Sequence, residues 1–298
     1  MSDIAAVRPR VGFAAGARRA RARIVRRHVL TYAGLVPFVL IAIFPVYWMA
    51  VTAFKTDADL VNPRVFPFWF HQPATVAHFA YLFQHTYYGD WIANTLTISV
   101  FVSVITLLVA VPAGYALARL ALPGAENMSI GIFLAYLIPP TLLFIPLSRA
   151  VALAHVIDTK WALVLVYPTF TIPYCTWLLS GFFKTVPREI EEAALVDGCG
   201  RLGALIRTIL PVSLAGILTA VIFAFTLSMQ DFIYSLVFVS VSDQKPVPLG
   251  VATDLIRGDV YYWGSLMAGA LLVGVPVAIL YSFFMDQFIA GITSAAVK

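Results

Sequence analysis

Six apolar runs follow one another along the chain, at roughly residues 28–53, 91–118, 128–150, 160–183, 212–240 and 264–290. Each is about 20 residues or longer, the length a helix needs to cross the hydrocarbon core of a bilayer. The pattern predicts an all-α, polytopic membrane protein with six transmembrane helices. Residues 1–27 then form a tail and residues 28–298 a membrane domain.

Between the fourth and fifth runs lies a polar stretch, Pro187 to Pro211, with a pattern of its own. Pro187 suits the first turn of a helix, where its missing N–H costs nothing. Glu189, Glu191 and Glu192 follow, and acids in a first turn complement the helix dipole. Ile190, Ala193 and Ala194 are spaced to share one apolar face. Asp197-Gly198 gives a stop, because glycine accepts the left-handed conformation that ends helices. A second helix restarts at about Gly200, with Leu202, Leu205, Ile206 and Ile209 as its apolar face. The expectation is two short amphipathic helices with a turn between them, lying at a membrane surface.

Several runs are interrupted. The first carries Pro37 and Pro45, and the fourth Pro168 and Pro173. The third carries Ile138-Pro139-Pro140 and Ile145-Pro146-Leu147, breaks that free backbone groups at membrane depth. Such groups are tolerated only against protein or a watery cavity, so this helix is expected to line a pathway. In the fifth run Ser228-Met229-Gln230-Asp231-Phe232 interrupts an otherwise apolar helix. A charge at mid-bilayer costs about 2.5–3.5 kcal/mol even on the insertion scale, which makes Asp231 a functional candidate. At 1.5 Å per residue it should lie roughly 30 Å along the helix from Pro211, within reach of water. The long segment 54–90 is rich in aromatics and proline and is expected to hold a short helix around Val76 to Gln84. Its three histidines, His71, His78 and His85, have neither Cys nor a carboxylate cluster beside them, so the segment is read as a surface loop and not as a metal site.

Composition agrees with a membrane protein. Apolar residues make up 61% and charged residues 12%, where soluble domains carry about 25% charged. The tail holds eight arginines, from Arg8 to Arg27, opposed only by Asp3. No folded domain supports a nucleic-acid arm, and no small-residue cleavage site follows the first run to suggest a signal peptide. The tail reads as a flexible, positive-inside anchor that also meets anionic lipid heads. With both termini in the cytoplasm, fourteen of the twenty Lys and Arg residues fall inside, including those of the 187–211 loop. Cys175 and Cys199 make neither a disulfide framework nor a metal site. Gly198-Cys199-Gly200-Arg201-Leu202-Gly203 fits G-x-G-x-x-G by letter, but no strand precedes it, and no phosphate-binding P-loop occurs. The sequence calls for no cofactor, no metal and no catalytic residue.

The 187–211 stretch resembles the EAA loop of ABC-importer membrane subunits, the type I permeases. That pattern reads Glu-Ala-Ala, three residues, Gly, nine residues, Ile, one residue, Leu-Pro. Glu192, Ala193, Ala194, Gly198, Leu210 and Pro211 fall in register, and Thr208 holds the usual Ile position. Upstream, Phe182, Phe183, Pro187 and Glu189 match the junction that precedes the loop, and Asn94-Thr95 matches a pair at the start of the family core, about 91–286. Gln230, Asp231 and Phe232 occupy the last three positions of a Trp-Asn-Glu-Phe-like motif, with Met229 in place of the Trp. The ending from Asp286 to Lys298 resembles the tails of carbohydrate-type permeases of the maltose kind, with Ala295 where Gly is usual.

The resemblance implies a type I permease fold in a bacterial inner membrane, with no ATPase site of its own. The implied partners are a second related permease subunit, two ATP-binding subunits and an extracytoplasmic solute-binding protein. The implied transport is alternating access of a carbohydrate. Glu192, Ala193, Ala194, Gly198 and Pro211 are then expected to couple to the ATPase subunit, and Gln230, Asp231 and Phe232 to line the pathway. The rival class is an ion-gradient-driven carrier with Asp231 as its ion site. It predicts inverted repeats with paired broken helices, and none is visible in the sequence.

The charge bias generates a topology prediction. In a cysteine-free background, cysteines at Pro73 and Ser242 should label from outside, and those at Gly16 and Gly203 only after permeabilisation. External labelling at Gly203 would overturn the assignment.

Overall fold

The computed structural model describes residues 11–64, 66–257 and 260–296; of residues 11–24 and 286–296 only the helical backbone is described. Arg8 and Arg10 of the tail, and Val297 and Lys298 of the ending, lie outside the described residues. The protein is a helical membrane bundle. Four helices are long and apolar enough to span on their own, and two bent helix pairs bring the number to six.

The first span, α1, runs from Val11 to Phe54. Residues 11–27, read as a flexible arm, are therefore helical and continuous with the span. Pro37 and Pro45 do not end the helix. From Val25 to Val46 its side chains are exposed, and only near its far end are Val51 and Ala53 buried. The next segment holds α2 (Asp57–Leu60) and α3 (Ala77–His85), the second close to the expected position. The second span, α4, covers Tyr88–Arg119.

The third span is broken as its prolines require. Helix α5 (Ala125–Tyr136) ends before Pro139, a 3-10 turn follows, and α6 covers Phe144–Leu153. The fourth is made of α7 (Lys160–Val166) and α8 (Pro168–Thr185), joined at Tyr167. Then come α9 (Arg188–Val196), α10 (Arg201–Ala204), a π-helical turn over Leu205–Ile209, and α11 (Leu210–Val212). A bend of 84° separates residues 201–212 from α12 (Leu214–Gln230).

Here the structure corrects the expected helix 212–240. Helix α12 stops at Gln230, Asp231 is extended, and α13 is a separate piece over Ile233–Phe238. Asp231 sits at a helix break, not within a continuous helix. Helix α14 (Val247–Asp254), a two-residue hairpin of β1 (Ile256–Arg257) and β2 (Val260–Tyr261), and the last span α15 (Trp263–Ala296) complete the chain.

Two packed regions position the rest. Toward the 187–211 loop, Tyr115, Leu178, Leu179, Phe183, Leu205 and Ile209 form one buried cluster. Within it α4 and α8 approach closely at Gly114, where a Cβ would stand 3.1 Å from the Ser180 backbone nitrogen and the Leu179 Cβ. At the opposite end, the chain after α13 is pinned to α4. The Trp91 indole donates to the Ser242 carbonyl (2.6 Å), Asn94 Nδ2 to the Asp243 carbonyl (2.7 Å), and the Val247 amide to Thr95 Oγ1 (2.8 Å). Gly250 makes room, since a Cβ there would fall 2.3 Å from the Trp91 ring. Nearby, Asp158 accepts from the Ser240 hydroxyl and amide, and these bonds hold its carboxyl below the usual range.

The segment 54–90 folds on its own polar contacts. Asp59 Oδ2 accepts the amides of Gln72 (2.9 Å) and His71 (3.0 Å), which keeps this acid below its ordinary pKa. The His78 ring bonds the Lys55 carbonyl at 2.8 Å. Among the described residues no group of three or more His, Cys, Asp or Glu side chains is placed to hold a metal ion. Cys175 is buried and Cys199 half-buried, and both are free thiols.

The glycine contact generates a stability prediction. Gly114→Val should destabilise the solubilised chain by about 1–3 kcal/mol through overpacking. Gly131→Val is the control, because a Cβ there meets nothing within 4 Å. Equal thermal midpoints for the two variants would show that the α4–α8 approach is not tight.

Candidate functional site

The loop 187–211 builds one candidate surface. Val186 and Pro187 are extended, and α9 starts at Arg188, one residue later than expected. The helix ends as a Schellman turn: the Cys199 amide reaches the Ala194 carbonyl (3.0 Å), with Gly198 at φ +88°.

The faces of α9 differ from expectation. Glu191 and Ala194 are buried and Ile190 is half-buried, whereas Glu192 and Ala193 are exposed. Ala193 therefore belongs to the outer face, not to the inner one. The cause is Glu191. Tyr115 donates its hydroxyl to Glu191 Oε1 (2.5 Å), and the Arg119 guanidinium lies 3.8 Å from Glu191 Oε2. Drawing that acid inward rotates the helix, because successive residues are about 100° apart around its axis.

The second helix also differs. The expected face of four apolar residues is split, with Leu205 and Ile209 buried and Leu202 and Ile206 exposed. The π-turn over Leu205–Ile209 accounts for the split, since it inserts an extra residue into the repeat. Val196, Leu202 and Ile206 are 87%, 67% and 55% exposed, on elements that pack against one another, and Glu192 and Ala193 are exposed on the first of them. Exposed apolar side chains grouped around a charge mark an interaction surface. Pro211 is exposed at the end of the loop.

The second candidate region is a cleft of about 450 Å³ where three helix ends meet. The broken third span contributes Tyr136 and Pro139, α8 contributes Thr169 and Phe170, and the end of α12 contributes Gln230 and Asp231. Tyr234 closes it, its ring stacked on Phe170 at 5.6 Å between centroids. Asp231 has a definite structural task. Its Oδ2 accepts the Tyr167 hydroxyl (2.9 Å) and the amides of Tyr234 (3.1 Å) and Ser235 (3.2 Å). It thus satisfies first-turn N–H groups of α13 that the helix break frees. None of these bonds uses Oδ1.

The structure therefore brings Gln230 and Asp231 to the cleft but not Phe232, which is exposed and absent from its lining. Sequence reasoning missed Arg119, Tyr115 and Tyr167. Arg119 was read only as an inside charge. The available signal was an arginine closing an apolar span and a glutamate pair, of which only one can face outward.

A multi-span bundle with a broken helix beside a cleft that holds Gln230 and Asp231, and a patterned surface loop, agrees with the permease fold expected from the loop's resemblance. Residues 110–294 match the family described as binding-protein-dependent transport system inner membrane component, and the chain belongs to that family. It is a permease component of an ABC importer, not itself catalytic, and the comparisons lend no support to an ion-gradient-driven carrier.

The chain is 30% identical to the inner membrane ABC transporter permease protein YcjP of Escherichia coli, over 90% of this chain and 95% of that protein. It is 31% identical to the diacetylchitobiose uptake system permease DasC of Streptomyces coelicolor, covering 86% and 92%. It is 32% identical to the sulfoquinovosyl glycerol transport permease SmoH of Agrobacterium fabrum, covering 86% and 89%. In fold it is similar to a chain of a bacterial ABC transporter that imports the acidic polysaccharide alginate. The TM-score is 0.74 at 18% identity, over 89% of this chain and 97% of the other.

The capping geometry generates a prediction. Asp231→Ala should expose the first-turn amides of α13, at a cost of about 0.5–2 kcal/mol, whereas Asp231→Asn keeps an acceptor. Hydrogen exchange at Tyr234 and Ser235 should speed up in the first variant and stay near parent in the second. Unchanged protection in Asp231→Ala would refute the capping role.

Proposed function

We propose that this permease translocates a carbohydrate, a sugar, oligosaccharide or polyol, by alternating access driven by ATP hydrolysis in partner subunits. The observation that carries the solute class is the cleft. It sets a carboxylate oxygen and an amide among the rings of Tyr136, Phe170 and Tyr234. Aromatic faces suit the apolar faces of sugar rings, and polar groups at a few fixed places give orientation. The similarity to permeases named for diacetylchitobiose and sulfoquinovosyl glycerol supports the same class.

In this reading Asp231 Oδ1 and Gln230 hydrogen-bond solute hydroxyls, while Oδ2 stays committed to α13. Phe232, exposed beside them, adds to the wall only in the assembled complex. The outer face of α9 and α10 docks on an ATP-hydrolysing subunit. Glu192 supplies the charge, Ala193 and the exposed apolar side chains supply the fit, and Gly198 and Pro211 fix the shape. Ala194 supports this face from beneath. The chain pairs with a second permease subunit and two ATP-binding subunits in the bacterial inner membrane. Both termini face the cytoplasm, and a solute-binding protein docks at the opposite end.

The test uses the complete complex reconstituted in vesicles, with co-purified ATPase subunit and transport per ATP as readouts. Glu192→Ala should weaken docking by about 2 kcal/mol or more, roughly thirtyfold in affinity. Gly198→Val should act through its left-handed backbone, at about 1 kcal/mol or more. Thr208→Ile, which restores the family residue, should leave transport within about twofold of parent, a change of under 0.5 kcal/mol. Normal subunit stoichiometry and transport in both loop mutants would reduce the loop to a connector.

A further inference from the structure

We infer that Arg119, Glu191 and Tyr115 form a clasp that makes α9, α4 and α8 move as one body, so that α8 carries a displacement of the loop to the Asp231 cleft. This inference rests on the coupling role proposed above for the loop. It assigns positioning roles to three residues that touch neither solute nor the proposed docking face.

The need for a clasp comes from the chain itself. Helices α8 and α9 are joined through Val186 and Pro187, both extended, with ψ of 132° and 138°. Two extended residues between helices form a hinge. A push on α9 would swing it about that hinge and leave α8 where it was.

Arg119 closes the hinge from both sides. Its Nη2 donates to the Phe183 carbonyl at 2.6 Å and to the Val186 carbonyl, at the end of α8. The Phe183 carbonyl also accepts the Val186 amide (3.3 Å), and both carbonyls lie at the negative dipole end of α8, so a cation is favoured there. The same guanidinium faces Glu191 of α9 at 3.8 Å, and Tyr115 bonds the other oxygen of that carboxylate. Arg119 and Glu191 are only 8% and 6% exposed. Removing one member leaves the other charge buried without its partner, a strong penalty that favours the closed arrangement. The two adjacent glutamates thus divide the work. Glu191 turns inward to the clasp, and Glu192 turns outward.

From the clasp the path continues along α8, a single helix that Pro173 does not end. Next to Tyr115, Gly114 lets α4 lie against the α8 backbone. Helix α8 is 18 residues long, or about 27 Å at 1.5 Å per residue. Its far end carries Thr169 and Phe170 of the cleft, and it begins directly after Tyr167, which holds Asp231. A continuous helix tied at both ends is a physical route for coupling, provided that the tie is kept in both states.

The experiment compares Arg119→Met, Glu191→Gln and the exchanged pair Arg119→Glu/Glu191→Arg in the full reconstituted complex, with maltotriose as the transported probe and its binding protein present. The single variants should bind the ATPase subunit at parent stoichiometry and still hydrolyse ATP. Transport per ATP should fall by about 2- to 30-fold, the range spanned by couplings through packed networks. The exchanged pair should recover part of that loss. Spin labels at Leu165 and Val196 should give one narrow distance distribution in the parent and a broadened one in Arg119→Met. If Arg119→Met does not insert, the isosteric Glu191→Gln decides by the same readouts.

Parent transport per ATP with an unbroadened distribution would overturn the clasp. So would loss of the ATPase subunit from Glu191→Gln, because Glu191 would then belong to the docking surface. A parent complex whose ATP hydrolysis drives no saccharide uptake, while Glu192→Ala binds the ATPase subunit normally, defeats the proposed function itself and is told apart from failure of the clasp by the parent alone.

Discussion

In hydrocarbon every backbone N–H and C=O must find a partner within the protein, so a spanning helix may break only where something else supplies the missing bonds. Among the described residues the third span breaks before Pro139 and the fifth after Gln230, and the residues at both breaks line one cleft. At the fifth, the carboxylate of Asp231 replaces the lost helical acceptors for the amides of Tyr234 and Ser235. Tyr167, in the junction of α7 and α8, fixes that carboxylate in place. The cleft is therefore the place where broken backbone, aromatic rings and the one acid of this region are held together by necessity. An acid that is costly in lipid is here part of what makes the break tolerable, and it does so through Oδ2.

The surface loop obeys a different constraint. Lying outside the spans, α9 is free to turn about its own axis until its buried contacts fix it. The ion pair with Arg119 does so, and the consequence reaches the opposite face: with Glu191 and Ala194 inward, Glu192, Ala193 and Val196 must point out. The π-turn does the same for the second helix, burying Leu205 and Ile209 while leaving Leu202 and Ile206 exposed. An outer face of this composition is set from the inside.

The far end of the bundle is built by donor groups on α4. Trp91, Asn94 and Thr95 hold the segment from Ser242 to Val247 through its backbone, so α14 and the hairpin start from a fixed point. Helix α1 contrasts with this region. From Val25 to Val46 it is exposed along its length, and only its end near Phe54 is packed. A span that buries so little of itself within its own chain leaves that surface for contacts outside the chain.

What the sequence determined by itself are the features whose cause is local. Apolar run length gave the spans, proline gave the third-span break, and Asp197-Gly198 gave the end of α9, because each depends on a few consecutive residues and the helical repeat. The loop's register was legible for the same reason. What only the tertiary structure decided are the choices between neighbours that local pattern leaves equal. Glu191 or Glu192 could have turned inward, and so could Ala193 or Ala194; the choice falls to Tyr115, 76 residues away from Glu191. The end of α12 was illegible because residues 232–239 are apolar but for Ser235 and read as more of the same span. Their helix restarts only because Asp231 finds Tyr167, 64 residues earlier, and that contact exists only once the spans have packed.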